Sequence, residues 1–126
     1  MLPLNVVDYY ETVERTMGGR GPTQAFFRLF MIPGMNHCQG GAGAWAVDYL
    51  GHLEAWVEQG RAPDEMLAAH PRPDAAPRPQ FGAPPPDAAQ AEFTRPLYPY
   101  PLQPRLERRG DPRDARSYAP RAPARP

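Results

Sequence analysis

The sequence predicts an α/β fold, because a helix, a buried strand and a second helix follow one another in its N-terminal half. The strand is the clearest of the three, since six of the seven residues from Phe26 to Ile32 are apolar. Such a continuous apolar run is too short for a typical helix and is typical of a strand covered on both faces. A helix, a strand, a loop and a helix in this order form the closing unit of an α/β sheet.

The first helix is predicted over residues 6–17, where apolar residues recur at spacings of four, three and four. Asn5 precedes it with a side chain suited to an N-cap. Gly18 and Gly19 end it, because glycine readily adopts the left-handed conformation that follows a helix. A loop over residues 20–23 then leads into the strand.

The strand is predicted over residues 25–32, and the second helix over residues 45–59. The second helix carries one broad apolar face and ends at Gly60. A short helical turn is predicted after it, over residues 64–69. These elements leave the segment between strand and second helix as the loop of interest.

His37 lies on that loop and is the candidate general base. Pro33 cannot extend a strand ladder and Gly34 permits a positive φ, so the chain turns there and presents residues 35–38 at the strand's end. Open α/β sheets build their sites at the carboxyl ends of their strands. Imidazole titrates near neutrality and accepts a proton from a hydroxyl nucleophile. The alternative, a loop histidine that makes only local hydrogen bonds, is favoured by spacing alone.

Cys38 is the only cysteine of the chain, and three interpretations of it stay open. A nucleophile paired with His37 is disfavoured, because adjacent side chains seldom point together. The others are a buried free thiol and one half of a bridge whose second half is missing. Gly40 and Gly41 either keep the approach to His37 free of side chains or make a tight turn.

The other two histidines are not expected to carry chemistry. His52 lies within the second predicted helix as a packing or surface residue, and His70 is expected to be solvated. A zinc site built from His37, Cys38 and His52 is disfavoured, because its spacing differs from the usual ligand patterns. The sequence contains no glycine-rich phosphate loop and no serine elbow.

Composition divides the chain near Pro71. Of its 19 prolines all but four lie at or after that residue, whereas nine of the 11 glycines lie before it. We therefore expect residues 1–70 to fold, residues 71–92 to form a disordered Pro/Ala-rich linker, and residues 93–126 to form an extended segment and tail. The tail that follows the folded α/β part is thus predicted to be Pro-rich and largely irregular.

Charge and hydropathy make nucleic acid and membrane poor candidates for partners. The net charge is zero, and all 14 basic residues are arginine, which argues against a polyanion as the main partner. No apolar stretch reaches the roughly 18 residues of a membrane-spanning helix. Residues 1–4 lack the basic start and apolar core of a signal peptide.

The segment FRLFMIPGMNHCQGG, residues 27–41, closely resembles the histidine-bearing segment of the tannase and feruloyl esterase family of α/β-hydrolases. Further family-like motifs follow the same order along the chain: DYYE at 8–11, AWVEQGRAP at 55–63, TRPL at 94–97, YPYP at 98–101 and GDP at 110–112. The resemblance covers nearly the whole chain and is interrupted by the Pro-rich segment near residues 71–90.

The resemblance implies the C-terminal segment of an enzyme that hydrolyses aromatic (phenolic) carboxylic esters by a Ser-His-Asp mechanism, with His37 as the triad histidine. The serine, the aspartate and a calcium-binding lid would all lie before Met1. No cofactor is therefore expected in this chain, and the isolated chain is expected to be inactive. The resemblance also implies export, to the periplasm or out of the cell.

For Cys38 the resemblance implies a disulfide to the cysteine that precedes the catalytic serine, which would tie the two catalytic loops together. That partner is absent from this chain. Tyr98 stands where the family usually has a cysteine, and a further cysteine expected around residues 117–120 is also missing. The loss of both is consistent with the loss of one paired bridge.

The competing hypothesis is a non-enzymatic Pro-rich interaction fragment. Residues 83–86 and 98–101 have the composition of polyproline II segments that dock into aromatic grooves. Such tails are also common linkers, so composition gives this hypothesis little support. A split enzyme, in which a separate chain carries the serine, lies between the two and predicts activity only on mixing.

Overall fold

The computed structural model describes residues 3–75 and 87–123. The chain divides into two compact units, Met1–Phe30 and Met31–Pro126. The first unit is helical, and the second combines one helix with two small antiparallel sheets. The strand pairing within both sheets is antiparallel.

The first unit holds helix α1 (Pro3–Thr16) and the short helix α2 (Arg20–Gln24). Helix α1 is the first predicted helix with an earlier start, and α2 replaces the predicted loop over residues 20–23. Tyr10 is fully buried and meets Phe27 edge-on, with 5.2 Å between ring centroids.

The predicted strand over residues 25–32 is wrong. Its first residues turn back on the preceding helix, since the N–H groups of Phe26 and Phe27 both donate to the carbonyl of Thr23. None of the residues in this run is fully buried, and apart from a single bridge residue, Phe30, none of them has strand structure. A strand needs a neighbour to satisfy its backbone groups, and an apolar run does not by itself supply one.

The main sheet of the second unit orders strands β1 (Ala46–Val47), β2 (Met66–Pro71) and β3 (Ala91–Leu97) side by side. Ala46 lies opposite Ala69, and His70 lies opposite Phe93. Strand β2 occupies most of the stretch predicted as a helical turn over residues 64–69, so that prediction is wrong. Pairing on both edges of β2 overrides the helical preference of its alanines.

Strands β4 (Gln103–Leu106) and β5 (Tyr118–Arg121) form a separate two-stranded sheet, and 3-10 helices span Ala88–Gln90 and Ala115–Ser117. The prediction of a largely irregular tail is therefore wrong for most of residues 88–121. Prolines are tolerated here because each of these strands has a free edge; Pro104 even lies opposite Pro120. Residues 76–86 of the predicted linker lie outside the described residues.

Helix α3 (Tyr49–Gln59) corresponds to the second predicted helix but begins four residues later. The Asp48 side chain caps its start by accepting a hydrogen bond from the Gly51 N–H at 2.9 Å. Gly60 ends it at a φ of 67°, as predicted. The apolar face is present but uncovered, since Leu50, Leu53 and Val57 are each more than half exposed.

Candidate active site: the loop that carries His37

Residues 34–43 form a closed loop, here called the His37 loop, which leads into strand β1. Its two arms are joined by backbone groups from base to tip: Gly43 N to Gly34 O at 3.0 Å, an antiparallel bridge between Met35 and Gly41, and Asn36 N to Gly40 O at 3.0 Å. The loop thus has the form of a small hairpin with His37 at its tip.

Glycine is required where the arms approach each other. A Cβ atom on Gly41 would collide with the carbonyl oxygen of Gly34, and one on Gly43 would collide with that of Pro33. Gly41 also has a φ of 95°, a conformation that side chains rarely permit. Of the two interpretations of Gly41, a clear approach to His37 or a tight turn, the structure therefore favours the tight turn. Gly40 has a positive φ but faces open space.

The tip is a three-residue turn centred on Cys38. The N–H of Gln39 donates to the carbonyl of His37 at 2.9 Å, and Cys38 has a φ of 71°. This combination matches the γ-turn with a positive central φ, a rare and strained conformation. Both His37 and Cys38 are exposed as a result.

The side chains of His37 and Cys38 lie together, with Sγ 3.0 Å from Nδ1. The expectation that adjacent side chains point apart is wrong here, because the left-handed backbone of Cys38 turns its thiol towards the imidazole. The buried-thiol interpretation is wrong as well, since Cys38 is exposed and free. With Nδ1 occupied, Nε2 is the ring nitrogen available to a reacting hydroxyl group.

His70 is not solvated as the sequence predicts. It lies in strand β2, and its side chain is 21% exposed. Its Nδ1 lies 2.8 Å from the carbonyl oxygen of Gly43, at the base of the His37 loop. Its ring stacks on Phe93 with 4.9 Å between centroids, and Nε2 lies 3.8 Å from the Glu92 carboxylate. Reading residues 66–71 as a strand is the signal that would have placed His70 within the sheet.

A cleft of about 450 Å³ lies beside the His37 loop. Its lining combines loop residues with an aromatic ring, prolines and one arginine: Gln39, Gly40, Trp45, Pro71, Arg72, Pro73 and Ala75. The Arg72 guanidinium is paired with the Asp74 carboxylate at 3.2 Å, and that contact lowers the pKa of Asp74. The cleft therefore offers a mainly apolar wall next to the loop.

The partners of a triad are not assembled around His37 within the described residues. The one serine of the sequence, Ser117, accepts a hydrogen bond from the Asp111 N–H at 2.9 Å and belongs to a 3-10 helix. No hydrogen bond or ion pair between described residues joins the His37 ring to a serine or a carboxylate. His52 lies half-buried in α3.

Neither a metal-ligand cluster nor a membrane-spanning helix is found in residues 3–75 and 87–123. No three His, Cys, Asp or Glu residues of this part lie together as a metal-binding group. No helix in the same residues has the length and apolarity needed to cross a membrane.

Comparison with known proteins gives one consistent result. The family model described as tannase and feruloyl esterase matches residues 1–120. A mono(2-hydroxyethyl) terephthalate hydrolase of Piscinibacter sakaiensis is 41% identical over 120 residues, which are 95% of this chain and 17% of that protein. A probable feruloyl esterase of Arthroderma benhamiae is 36% identical over 118 residues, 92% of this chain and 19% of that protein.

The fold is similar to that of a solved esterase. An esterase of Aspergillus oryzae superposes with a TM-score of 0.73 at 26% identity, over 94% of this chain and 24% of that one. The chain thus spans less than a fifth of the length of these two curated relatives. Sequence motifs, family model and superposition agree over almost all of its residues, and the chain therefore belongs to the tannase and feruloyl esterase family of ester hydrolases.

Proposed function

We propose that this chain supplies the general base of a serine-type carboxylic ester hydrolase, and that His37 is that base. The observation that carries the proposal is the exposed imidazole at the tip of a loop closed by backbone hydrogen bonds. A rigid loop holds a base at a fixed position, which proton transfer requires. The loop also lies in the segment where the resemblance to the family is most specific.

In this mechanism Nε2 of His37 takes the proton of a serine hydroxyl as its oxygen attacks the ester carbonyl. The protonated ring then gives that proton to the leaving alcohol, and an acyl-serine remains. Water attacks the acyl group while His37 takes a proton from it, and the ring then gives that proton to the serine oxygen as the acid leaves. The proposal assigns the serine to residues outside this sequence, because Ser117, the one serine here, accepts a hydrogen bond from the Asp111 N–H within a separate turn. It assigns the triad carboxylate there as well, as the family resemblance implies.

Cys38 is proposed to form a disulfide with a cysteine that is also outside this sequence. The contact between Sγ and Nδ1 supports a coupling of the two residues, since Nδ1 is the nitrogen that a triad carboxylate must reach. Drawing the sulfur into a bridge takes it away from Nδ1 and leaves that nitrogen free to donate its proton to the carboxylate. Disulfides persist in oxidising compartments, so the proposal includes export to the periplasm or the medium.

The proposed substrates are esters of aromatic acids. The names of the two relatives refer to feruloyl and terephthalate esters, both of which carry an aromatic acid. The cleft beside the His37 loop, with Trp45 in its wall, offers an apolar surface for such a ring.

The test begins with the gene. The coding DNA upstream of Met1 is read in frame, the intact mass of the native product is measured in the source cells, and the protein so defined is assayed with methyl ferulate and mono(2-hydroxyethyl) terephthalate. His37→Ala is expected to lower kcat by about 10²–10⁴-fold or more, while the matched His52→Ala leaves kcat unchanged. Equal kcat values for both variants would refute the role of His37.

The isolated 126-residue chain is expected to hydrolyse neither ester. Hydrolysis by this chain alone would refute the assignment of the serine to residues outside it. A native mass of 14.0 kDa, with activity appearing only when a second chain is added, would identify a split enzyme with the same role for His37.

The alternative of a Pro-rich interaction fragment gains no support. Tyr98 and Pro99 are buried, so the run at residues 98–101 does not offer an exposed face to an aromatic groove. The other candidate run, residues 83–86, lies outside the described residues.

A further inference from the structure

We propose that His70 is a positioning residue for His37: its Nδ1–H group holds the carbonyl of Gly43 and thereby fixes the base of the His37 loop on strand β2. The inference rests on the proposed function of His37, and it adds a residue from a different part of the chain. His70 does not touch the reacting atoms in this proposal and acts only through the loop.

Gly43 is the residue through which His70 acts, because both of its backbone polar groups are engaged. Its N–H closes the loop on the carbonyl of Gly34 at 3.0 Å, and its own carbonyl meets Nδ1 of His70 at 2.8 Å. A side chain cannot be accommodated at this position, since a Cβ atom would collide with the carbonyl of Pro33. The base of the loop is therefore a tightly packed junction of main-chain groups.

The same junction connects the loop to the sheet. Three residues after Gly43 the chain enters strand β1, where Ala46 pairs with Ala69, the neighbour of His70. The hydrogen bond from His70 thus adds a side-chain link beside the first backbone pair of the sheet. Without this hydrogen bond, residues 43–45 would be the connection about which the His37 loop could move relative to strand β1.

The orientation of the His70 ring is set by its surroundings. The ring lies nearly parallel to that of Phe93, at 9°, and Phe93 faces it directly in the pairing of β2 with β3. The Glu92 carboxylate lies 3.8 Å from Nε2. A carbonyl oxygen can only accept, so Nδ1 must carry the proton that it shares with Gly43.

The first measurement is the protonation site of each histidine nitrogen, read from side-chain ¹⁵N spectra of the 126-residue chain at pH 8. His70 is expected to carry its proton on Nδ1. The exposed side chain of His37 and that of His52 serve as internal references. A His70 ring protonated on Nε2, or one that averages between the two forms, would overturn the proposal.

Two variants separate the hydrogen bond from the ring stack. His70→Asn keeps an N–H donor near the Nδ1 position, whereas His70→Phe keeps a ring on Phe93 and removes the donor. Amide hydrogen exchange at Gly43 and Asn36 is expected to quicken by about tenfold in His70→Phe and by much less in His70→Asn. The Thr94 N–H, bonded to the Arg113 carbonyl at 2.9 Å, reports whether the sheet is intact.

The exchange rates in the two variants either support or overturn the role of His70. Equal exchange in the two variants would show that the donor is not what holds the loop. Loss of protection at Thr94 together with Gly43 would show that His70 supports the sheet as a whole, which also overturns the local role. These readouts need no catalysis, so they remain valid if His37→Ala retains activity and the proposed function fails. In the active protein, His70→Phe is expected to lower kcat at an unchanged KM. His70→Asn, which keeps the donor, is expected to have a kcat close to that of the parent protein.

Discussion

The hydroxyl group of Tyr98 donates a hydrogen bond to the backbone carbonyl of Tyr118, 3.4 Å away. Tyr98 stands at a position where the family resemblance implies a cysteine, and Tyr118 lies in the stretch 117–120 where it implies another. The structure therefore brings together the two places at which the resemblance implies cysteines. A buried phenol and one hydrogen bond join the end of β3 to β5 at this point.

Removing that hydroxyl group is expected to destabilise the chain modestly. Tyr98→Phe keeps the ring and leaves the Tyr118 carbonyl without its partner, which costs about 0.5–1.5 kcal/mol of unfolding free energy. Tyr98→Ala also removes a ring that is only 7% exposed and is expected to cost about 3–5 kcal/mol. Urea unfolding measures both. Equal stability of Tyr98→Phe and the parent chain would mean that the hydrogen bond contributes nothing.

Tyr98 is also expected to make the stability of the chain fall at alkaline pH. Burial raises the pKa of Tyr98 above its ordinary value of 10.0, and the nearby charge of Glu65 raises it further. The folded state therefore retains the phenol proton longer than the unfolded state, so stability is full below pH 10 and falls as the pH rises through the folded pKa. A difference titration at 295 nm between the parent chain and Tyr98→Phe isolates this group. A difference curve centred at or below pH 10 would contradict the prediction.

Gly40 and Gly41 provide a matched pair of substitutions in the His37 loop. Both have positive φ values, 78° and 95°, so Gly40→Ala and Gly41→Ala share a backbone penalty of about 1–2 kcal/mol. Only Gly41→Ala places a methyl group against backbone atoms of Gly34 and Asn36. These backbone atoms cannot move aside as the end of a flexible side chain can. Gly41→Ala is therefore expected to be the more destabilising in thermal unfolding and to release the Asn36 amide to exchange. Equal effects would show that conformational strain alone governs both sites.

Cys38 is expected to react as one free thiol per 126-residue chain with Ellman's reagent, without denaturant, because it is exposed. In the native gene product, the proposed disulfide makes the same cysteine unreactive until a reductant is added. Alkylation before and after reduction, followed by peptide mass analysis, distinguishes the two states. A Cys38 that is alkylated before reduction in an active native enzyme would rule out the bridge.

Local signals in the sequence located the features that depend on local chemistry. Helices α1 and α3, the stop at Gly60 and the turn at Pro33-Gly34 were all accessible, because periodicity and glycine act over a few residues. The strand over residues 25–32 failed for the opposite reason, since a strand depends on a partner that the run itself does not specify. Strands β3 to β5 could not be recognised because of their prolines, which are excluded from central strands but tolerated in edge strands such as these.

The candidate site shows the same division. His37 was placed on its loop by the turn residues and by resemblance, whereas the role of His70 depends on a contact 27 residues away along the chain. The contact between His37 and Cys38 could not be predicted either. It arises from a positive φ at Cys38, a residue other than glycine. Such a conformation is uncommon for cysteine and cannot be predicted from the residue type.

The His37 loop is closed by main-chain groups, and no side-chain hydrogen bond among its described residues takes part in that closure. Its tolerance to sequence change is therefore uneven: glycine is indispensable at positions 41 and 43, whereas Met35, Asn36 and Gln39 are open to replacement. Under the role proposed for His37, drift at these three positions alters the surface that an approaching ester meets without moving the histidine. Selection for a new substrate then has room to act immediately beside the proposed base.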